Sequence, residues 1–519
     1  IPKRAFMYND WYGMGWIILD PYYGYGLYVI CGVLQGGMTT EYPRPNVWIT
    51  SPANNSYYLV GEAIDCTAQA YCDECGEISD DIVWSAVEEL ADGGQYNFPD
   101  GSGPTYSINP PGPGHITIDA KITCPHGNDV DSIHETVFKV KITDCNLAWL
   151  PEKDNTTNFT ANIIPDDVKG IITFTLSGVS DEPGYCLNAG KQSTADKDLK
   201  FEANKNPLFN IRGNGAIAES KQEVNTIDVI VSSFDYGSYG EIKAEATVQN
   251  KTAESEIKNI PRDDDNNYIA DVWSYNAGNA TDDDDNVPPE GTLGDGLSRY
   301  EEYRGFLVSG VHIRTSPERK DVFIYDENGI YPQGNFTAAT GMSVHYQITA
   351  AEFNGVTSRV VNFNYETAHI VDQHGLYLRN YDIEGDTGVA GVDDYHEWGV
   401  SFGPNGPPKN HPEIRCDVEQ VRWDENWDRP DGANDRANDA VMHNITHELG
   451  HGISIAHHDP PTGGDTSCAM RYLWDEWDLY RKPHLPEYHG TNDADGWNTM
   501  PIGVDFCSHC KSQFEVSDK

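Results

Sequence analysis

The stretch NDAVMHNITHELGHGISIAHH, residues 438–458, decides the fold predicted for the last third of the chain. Its apolar residues recur close to the helical period, at Ala440, Val441, Ile445 and Leu449. This spacing predicts an α-helix, with Asp435 or Asn438 as its N-terminal cap. On such a helix His447 and His451 lie one turn apart on the same face.

Two imidazoles on one helical face can bind a single Zn²⁺ ion. Glu448 follows the first of them and can reach a water molecule that zinc activates by lowering its pKa to about 7. A carboxylate in this position takes the proton of the water and passes it to a leaving amine. His457, ten residues after His447, is the predicted third ligand, with His458 as the alternative.

Residues 447–457 resemble the extended zinc motif of metzincin peptidases, His-Glu-x-x-His-x-x-Gly-x-x-His. The match fails at Ser454, where the family has a glycine whose positive φ lets the chain leave the helix. Serine in a left-handed conformation costs on the order of 1 kcal/mol, unless Gly452 ends the helix earlier. The resemblance implies a zinc-dependent endopeptidase that hydrolyses peptide or protein substrates, with Glu448 as the catalytic base.

The sequence SCAMRY, residues 467–472, resembles the Met-turn of the same peptidases. The resemblance implies that Met470 forms an apolar floor beneath the zinc ligands without binding the metal. It also implies that Tyr472, as in astacins and serralysins, stabilises the oxyanion that develops on the scissile carbonyl. The alternative is that Met470 and Tyr472 are core residues of a loop.

The cysteines near the end of the chain resemble those of archaemetzincins, which hold a second, structural zinc ion. Cys468, Cys507 and Cys510 are present, and His458 stands where that family has a further cysteine. Three cysteines and one histidine form a suitable zinc site. A disulfide from Cys468 to Cys507 or Cys510 is the alternative.

Strands are predicted upstream of the helix, at Asp321–Tyr325, Met342–Ile348 and Arg359–Phe363. Trp398–Phe402 is the predicted edge strand, which would align an extended peptide by β-addition. Cys416 is interpreted as a structural cysteine.

Residues 46–146 and 147–259 contain short strands separated by turn residues, which predicts two β-sandwich domains. In the first, the order Cys66, Trp84, Cys124 resembles the core disulfide and packed tryptophan of immunoglobulin-like domains. Cys72 and Cys75 can bind a metal, but a surface-loop disulfide is favoured for an exported protein.

Residues 260–304 form an acidic linker whose oxygen-bearing side chains follow the spacing of calcium-binding loops. Positions 1, 3, 5 and 9 of one loop are filled by Asp263, Asp265, Asn267 and Asp271. Tyr268 stands where an EF-hand has glycine, and Asp295 and Glu302 match positions 5 and 12 of a second loop. The linker resembles thrombospondin type 3 or dockerin-like calcium repeats, with a disordered acidic linker as the alternative.

The formal net charge of −47 argues against nucleic acid as a partner, because a polyanion would be repelled. The odd number of cysteines, 11, leaves at least one unpaired, metal-bound or joined to another chain. Seven Asn-x-Ser/Thr sequons and the start at Ile1 favour a processed, exported glycoprotein. No transmembrane helix is predicted, since the apolar stretch 16–34 contains Asp20 and Pro21.

The sequence therefore predicts a multidomain extracellular or cell-surface protein with Zn²⁺ and Ca²⁺ as cofactors. An aromatic, Gly-rich segment (1–45) precedes two immunoglobulin-like β-sandwiches, a calcium-type linker, and an α+β metzincin-like peptidase domain over residues 305–519. The alternative is a structural subunit of a surface layer or extracellular filament that carries a peptidase-like domain. In that hypothesis residues 1–45, too apolar for a solvated tail, mediate self-assembly. The alternative for this segment is a simple strand of the first domain.

Overall fold

A computed structural model gives the fold of most of the chain. It describes residues 5–10, 13–18, 44–190, 197–273, 294–332, 335–365, 371–380, 399–401, 413–419, 435–453, 455, 468–470 and 505–511. These residues form a multidomain structure that is mostly β-sheet, as predicted.

The strands are labelled β1 to β28 and the α-helices α1 to α5 in chain order. The strands are Ala5–Asp10, Gly13–Ile18, Asn46–Ser51, Tyr57–Leu59, Ile64–Cys72, Gly76–Glu77, Val83–Leu90, Gln95–Asn97, Gly101–Ser102, Thr105–Ile108, Gly114–Cys124, Gly127–Ile142, Thr156–Ile164, Ile171–Ser177, Leu199–Lys200, Phe209–Arg212, Ile217–Ser220, Thr226–Ser233, Gly240–Val248, Lys251–Glu254, Lys258–Ile260, Phe306–Val308, Val311–Ile313, Asp321–Asp326, Ser343–His345, Leu376–Asn380, Gly399–Ser401 and Ile414–Cys416. The helices are Arg299–Arg304, Asn335–Thr340, Gly355–Ser358, Asp435–Gly452 and Ser508–Lys511.

The first β-sandwich packs the sheet β10-β5-β3, extended by β6, against strands β12, β11, β7 and β8. Strand β11 shows why the layers form, because its buried and exposed residues alternate along the strand. Ile116, Ile118 and Ala120 turn into the core, where Trp84 is fully buried. A strand with this period buries one face and exposes the other, so two such sheets enclose one core.

Strand β12 belongs to both sandwiches. Residues 127–137 pair with β11, whereas residues 139–142 pair with β13, so one nine-stranded sheet runs through both domains. Val137 lies in the first core and Phe138 in the second. Consecutive residues of a strand point to opposite faces, so β12 covers one core with each face.

The second sandwich packs strands β12, β13, β18 and β15 against the six-stranded sheet of β16, β17, β14, β19, β20 and β21. Its core is built around fully buried aromatic residues, among them Phe138, Phe159 and Phe174. The predicted β-sandwich character of both regions is therefore confirmed.

The predicted disulfide between Cys66 and Cys124 is wrong, because the two thiols lie at different levels of the sandwich. Cys66 is opposite Tyr106 in the middle of the sheet. Cys124 is the last residue of β11, and its Sγ lies 3.7 Å from the Sγ of Cys72 at the end of β5. Cys72 is six residues beyond Cys66, about 20 Å along an extended strand. The favoured disulfide between Cys72 and Cys75 is also not formed.

A buried ion pair joins the second sandwich to the region that follows it. Helix α1 starts with a capping box of Ser298 and Glu301 and ends at Arg304, which is fully buried. The guanidinium of Arg304 donates from Nη2 and Nε to the carboxylate of Asp235, at 2.6 and 3.1 Å. It also donates to the backbone carbonyls of Pro183 and Asn364. One side chain thereby links the sandwich, the helix and the C-terminal region.

The C-terminal region contains a five-stranded sheet in the order β25-β24-β26-β28-β27. All neighbouring strands are parallel except β27, which is antiparallel to β28 at the edge. Helix α4 packs against β27 and β28. The close approach depends on Gly452, since a Cβ there would lie 2.9 Å from methyl groups of Leu376 and Ile414.

Two predicted strands in this region differ from the structure. The strand predicted over Met342–Ile348 is reduced to Ser343–His345. Arg359–Phe363 is not a strand, because Arg359 caps α3 with a left-handed φ of 56° and only Val360 makes an isolated bridge, to His374. The strands predicted at Asp321–Tyr325 and at the sheet edge, now Gly399–Ser401, are present.

Within residues 1–43 the described part is an antiparallel hairpin of β1 and β2. The predicted self-assembly through this segment stays a prediction. Among the described residues, no helix has the length and apolar character needed to cross a bilayer.

Candidate metal centres

Helix α4 brings the two predicted zinc ligands together at its C-terminal end. The ring centroids of His447 and His451 are 4.8 Å apart, and the ring planes are perpendicular. His443, one turn earlier, lies with its ring centroid 6.0 Å from that of His447. The helix ends at Gly452, so its last two turns carry the two histidines.

Each of the two imidazoles is fixed through its Nδ1 atom. Nδ1 of His447 lies 2.7 Å from the carbonyl oxygen of Ala469, and Nδ1 of His451 lies 2.8 Å from that of Ile455. A carbonyl oxygen only accepts, so each Nδ1 carries the hydrogen and Nε2 is the unprotonated nitrogen of each neutral ring.

The environment keeps both rings neutral. Burial, with a contribution from His443, lowers the pKa of His447 to about 4. Burial also lowers the pKa of His451, and the neighbouring His447 acts in the same direction. Metal binding requires the neutral imidazole, so neither ring has to lose a proton at neutral pH.

Met470 lies directly beneath the turn that carries the histidines. A Cβ at Gly450 would lie 2.5 Å from the Sδ of Met470 and 3.0 Å from the ring of Phe506. Met470 is fully buried. The glycine between the two histidines therefore allows this contact, and the Met-turn role of Met470 stays a prediction.

Glu448 lies near both His451 and Cys416, because its charge acts on the pKa of each. It is 7% exposed, and it lies close enough to the buried thiol of Cys416 in β28 to affect it. Burial raises the pKa of Cys416, and the charge of Glu448 adds to that effect. Cys416 belongs to the hydrophobic core, in agreement with its interpretation as a structural cysteine.

Four residues named in the sequence predictions for this site lie outside the described residues. They are Ser454, the third ligand His457, its alternative His458, and Tyr472. Their roles stay predictions.

Cys468, Cys507 and Cys510 form a compact thiol cluster beside Met470. The Sγ of Cys510 lies 3.5 Å from that of Cys468 and 3.6 Å from that of Cys507. A disulfide requires about 2.05 Å between sulfurs, whereas two thiolates on one tetrahedral zinc are about 3.8 Å apart, given Zn–S bonds of about 2.3 Å. The alternative disulfides are not formed in this arrangement, and the spacing suits a shared metal.

The first predicted calcium loop brings three of its carboxylates together. Ligand oxygens of Asp263, Asp265 and Asp271 lie within 4.8 Å of one another. The backbone N–H groups of Asn267 and Tyr268 donate to the carboxylate of Asp263, at 3.2 and 2.8 Å. Burial and the neighbouring Asp265 raise the pKa of Asp263 to about 6, which a bound cation would reverse.

Tyr268 explains how this loop turns without glycine. Its φ is 68°, the left-handed conformation that an EF-hand assigns to glycine at this position. Its ring packs 4.3 Å from that of Tyr239, centroid to centroid, which holds the strained residue in place. The side-chain amide of Asn267 donates a hydrogen bond to the carboxylate of Asp265 at 3.0 Å.

Asp295 and Glu302, predicted as one calcium pair, meet a third carboxylate that the sequence prediction missed. Asp321, the first residue of β24, has an oxygen within 4.8 Å of both, and all three residues are at most 1% exposed. Asp295 accepts hydrogen bonds from the backbone of Leu297 and Asp321, at 3.0 and 2.8 Å. An acidic residue at the start of an otherwise apolar strand, DVFIYD, is the signal that would have identified Asp321.

No protein-family model matches the chain, and no curated protein matches it. Parts of the chain are similar to solved structures, three of which follow. Three N-terminal domains of the Highly Immunogenic Outer Capsid protein of bacteriophage RB49 match 42% of this chain and 67% of their own, with 11% identity and a TM-score of 0.23. The I-band fragment I67-I69 of titin matches 41% and 64%, with 12% identity and a TM-score of 0.21.

The C-terminal domain of the Streptococcus agalactiae AgI/II polypeptide BspA matches 42% of this chain and 99% of its own, with 8% identity and a TM-score of 0.22. At these TM-scores the similarities indicate neither a family nor an activity for this chain.

Proposed function

We propose that the chain is an exported zinc endopeptidase whose active site lies at the end of α4. The observation that carries the proposal is the pair His447 and His451 one turn apart on α4, with each Nδ1 bonded to a backbone carbonyl, so that Nε2 is the unprotonated nitrogen of each ring. Bonds of this kind fix the tautomer and orientation of zinc-binding histidines. His457, just beyond the helix, is the proposed third ligand, which leaves one zinc position for water or substrate.

The protein residues divide the chemistry between them. When bound, Zn²⁺ would polarise the scissile carbonyl and raise the acidity of the attacking water. Glu448 accepts the proton of that water and returns it to the leaving amine. Tyr472, by the metzincin resemblance, donates a hydrogen bond to the developing oxyanion. Met470 supports the histidine turn from below.

The edge strand β27 supports the binding of an extended substrate. Its neighbour on one side is β28, and no described strand lies on its other side. An exposed strand edge offers N–H and C=O groups that an extended peptide can pair with. Because α4 contacts β27, a peptide added there would run beside the helix that carries Glu448.

The thiol cluster and the two carboxylate clusters stabilise the fold in this proposal. Cys468, Cys507 and Cys510 hold a structural zinc ion that ties α5 to the Met470 turn. The two carboxylate clusters, around Asp263 and around Asp295, hold Ca²⁺ between the second sandwich and the peptidase region. Buried carboxylates that share a cation avoid the repulsion they would otherwise experience.

Removal and return of metal tests the proposal. The full chain is dialysed against a chelator and then receives Zn²⁺ or Ca²⁺ separately. Hydrolysis of an unfolded protein substrate should disappear on dialysis and return with Zn²⁺ but not with Ca²⁺ alone. Full hydrolysis by the chain after zinc removal, verified by elemental analysis, would contradict the proposal.

The structural alternative, a subunit of a surface layer or filament, draws support from the sheet shared through β12. A continuous sheet leaves no flexible linker between the two sandwiches, which suits a stiff spacer. The two functions are compatible, because a spacer can present a working site away from a cell surface.

A further inference from the structure

A second group of three thiols lies at one end of the first β-sandwich, far along the chain from the peptidase region. Cys72 is the last residue of β5, Cys75 lies in the turn to β6, and Cys124 is the last residue of β11. The Sγ atoms of Cys72 and Cys124 are 3.7 Å apart, and all three sulfurs lie within 4.8 Å of one another.

The two sheets of the sandwich contribute to the cluster separately. Strand β5 belongs to the sheet with β3 and β10, whereas β11 belongs to the facing sheet. Cys72 and Cys124 therefore meet across the open end of the core, below which Ile122 and Ala70 are buried. A group that joins their sulfurs would tie the two layers together at this end.

The turn after Cys72 wraps its backbone around the Cys72 sulfur. Cys72 pairs with Gly76, whose φ of 78° closes the turn. The sulfur of Cys72 accepts hydrogen bonds from the backbone N–H groups of Cys75 and Glu74, and it lies beside the thiols of Cys124 and Cys75. Backbone N–H groups aimed at a sulfur favour the thiolate, which is the form that binds metals.

The geometry favours a metal over a disulfide. Three thiols cannot all be paired by disulfides, and their sulfurs are well beyond the bond length of about 2.05 Å. The distance of 3.7 Å between Cys72 and Cys124 is close to the roughly 3.8 Å expected for two thiolates on one zinc with Zn–S bonds of about 2.3 Å. The spacing Cys-x-x-Cys is also typical of structural zinc sites.

We propose that Cys72, Cys75 and Cys124 bind one structural Zn²⁺ ion that joins the two sheets of the first sandwich. A soft, tetrahedral cation suits three sulfur ligands, whereas Ca²⁺ and Mg²⁺ prefer oxygen. The fourth position lies on the solvent side, where Cys75 is exposed. His126, two residues after Cys124 in the turn to β12, is the nearest histidine along the chain to complete it; otherwise a water does.

The test compares zinc content in three full-length proteins purified under reducing conditions: wild type, Cys75→Ser and Asp73→Asn. Cys75 is exposed, so its substitution leaves the packed core intact. Cys75→Ser should contain one zinc ion fewer per chain than wild type, and its first thermal transition should occur at a lower temperature. Asp73→Asn alters the same turn without removing a thiol and should match wild type.

Two results would overturn this proposal. One is an equal zinc content in Cys75→Ser and wild type. The other is a disulfide involving Cys72 or Cys124, detected by mass spectrometry of the unreduced wild-type chain. The peptidase proposal is unaffected by either result, because it is judged by the hydrolysis rate, which is measured separately in the same samples.

Discussion

The Glu448→Gln variant should keep its zinc and lose peptide hydrolysis. Glutamine has the size of glutamate but cannot accept the proton of the attacking water, and loss of a general base costs about 10²–10⁴-fold in rate. His447 and His451 remain neutral and fixed by Ala469 and Ile455, so zinc binding should not change. The measurements are the rate of hydrolysis of an unfolded protein and the zinc content of the same sample.

His443→Gln is the matched control for that variant. His443 lies one turn before His447 on the same helix but is not among the proposed ligands. It should keep both zinc and activity. If Glu448→Gln hydrolyses its substrate within tenfold of wild type, Glu448 is not the base.

Asp235→Asn should destabilise the junction between the second sandwich and the C-terminal region more than the control Asp181→Asn does. Arg304 and Asp235 are both fully buried, and removal of one partner leaves a buried charge at a cost of about 3–5 kcal/mol. Burial and the charge of Asp235 raise the pKa of nearby Asp198 to about 8. Asp198 can ionise once Asp235 is neutral, so we expect the lower end of that range.

Urea or thermal unfolding of the full chain measures this effect. Asp181→Asn is the control, because its ion pair with Lys197 is about half exposed and such pairs contribute less than about 1 kcal/mol. Equal losses of stability in the two variants would show that the Arg304 pair does not hold the junction together.

The sequence predicted secondary structure well wherever apolar residues recur with the period of a strand or a helix. Alternation in residues 115–118 predicted part of the strand Gly114–Cys124, and the apolar spacing between Ala440 and Leu449 predicted the helix that ends at Gly452. The histidine pair followed from that helix alone, because residues four apart share a face.

Contacts that depend on strand register or on the packing of distant segments could not be predicted from such local patterns. Cys66 and Cys124 have the order of an immunoglobulin-like pair, but the register places Cys72 beside Cys124 instead. Asp321 joins Asp295 and Glu302 only because β24 begins where α1 packs, and a linear loop template does not include a residue that far along the chain. Long-range register and packing decide both cases.

In the acidic linker, local spacing decided some features and tertiary packing decided others. Loop spacing placed Asp263, Asp265 and Asp271 together, as the template implies. Tyr268, which stands where an EF-hand has glycine, adopts a φ of 68° and packs against Tyr239. Tertiary contacts can hold a bulky residue in a left-handed conformation that local preference disfavours.

The most direct test of the central claim is an anomalous difference map, recorded at the zinc edge, from crystals of the full chain. The account predicts a peak about 2.0–2.1 Å from the Nε2 atoms of both His447 and His451. That peak should vanish in His451→Ala, while peaks at the two cysteine clusters remain. A wild-type map without density between these two imidazoles, in zinc-replete protein, would contradict the peptidase assignment.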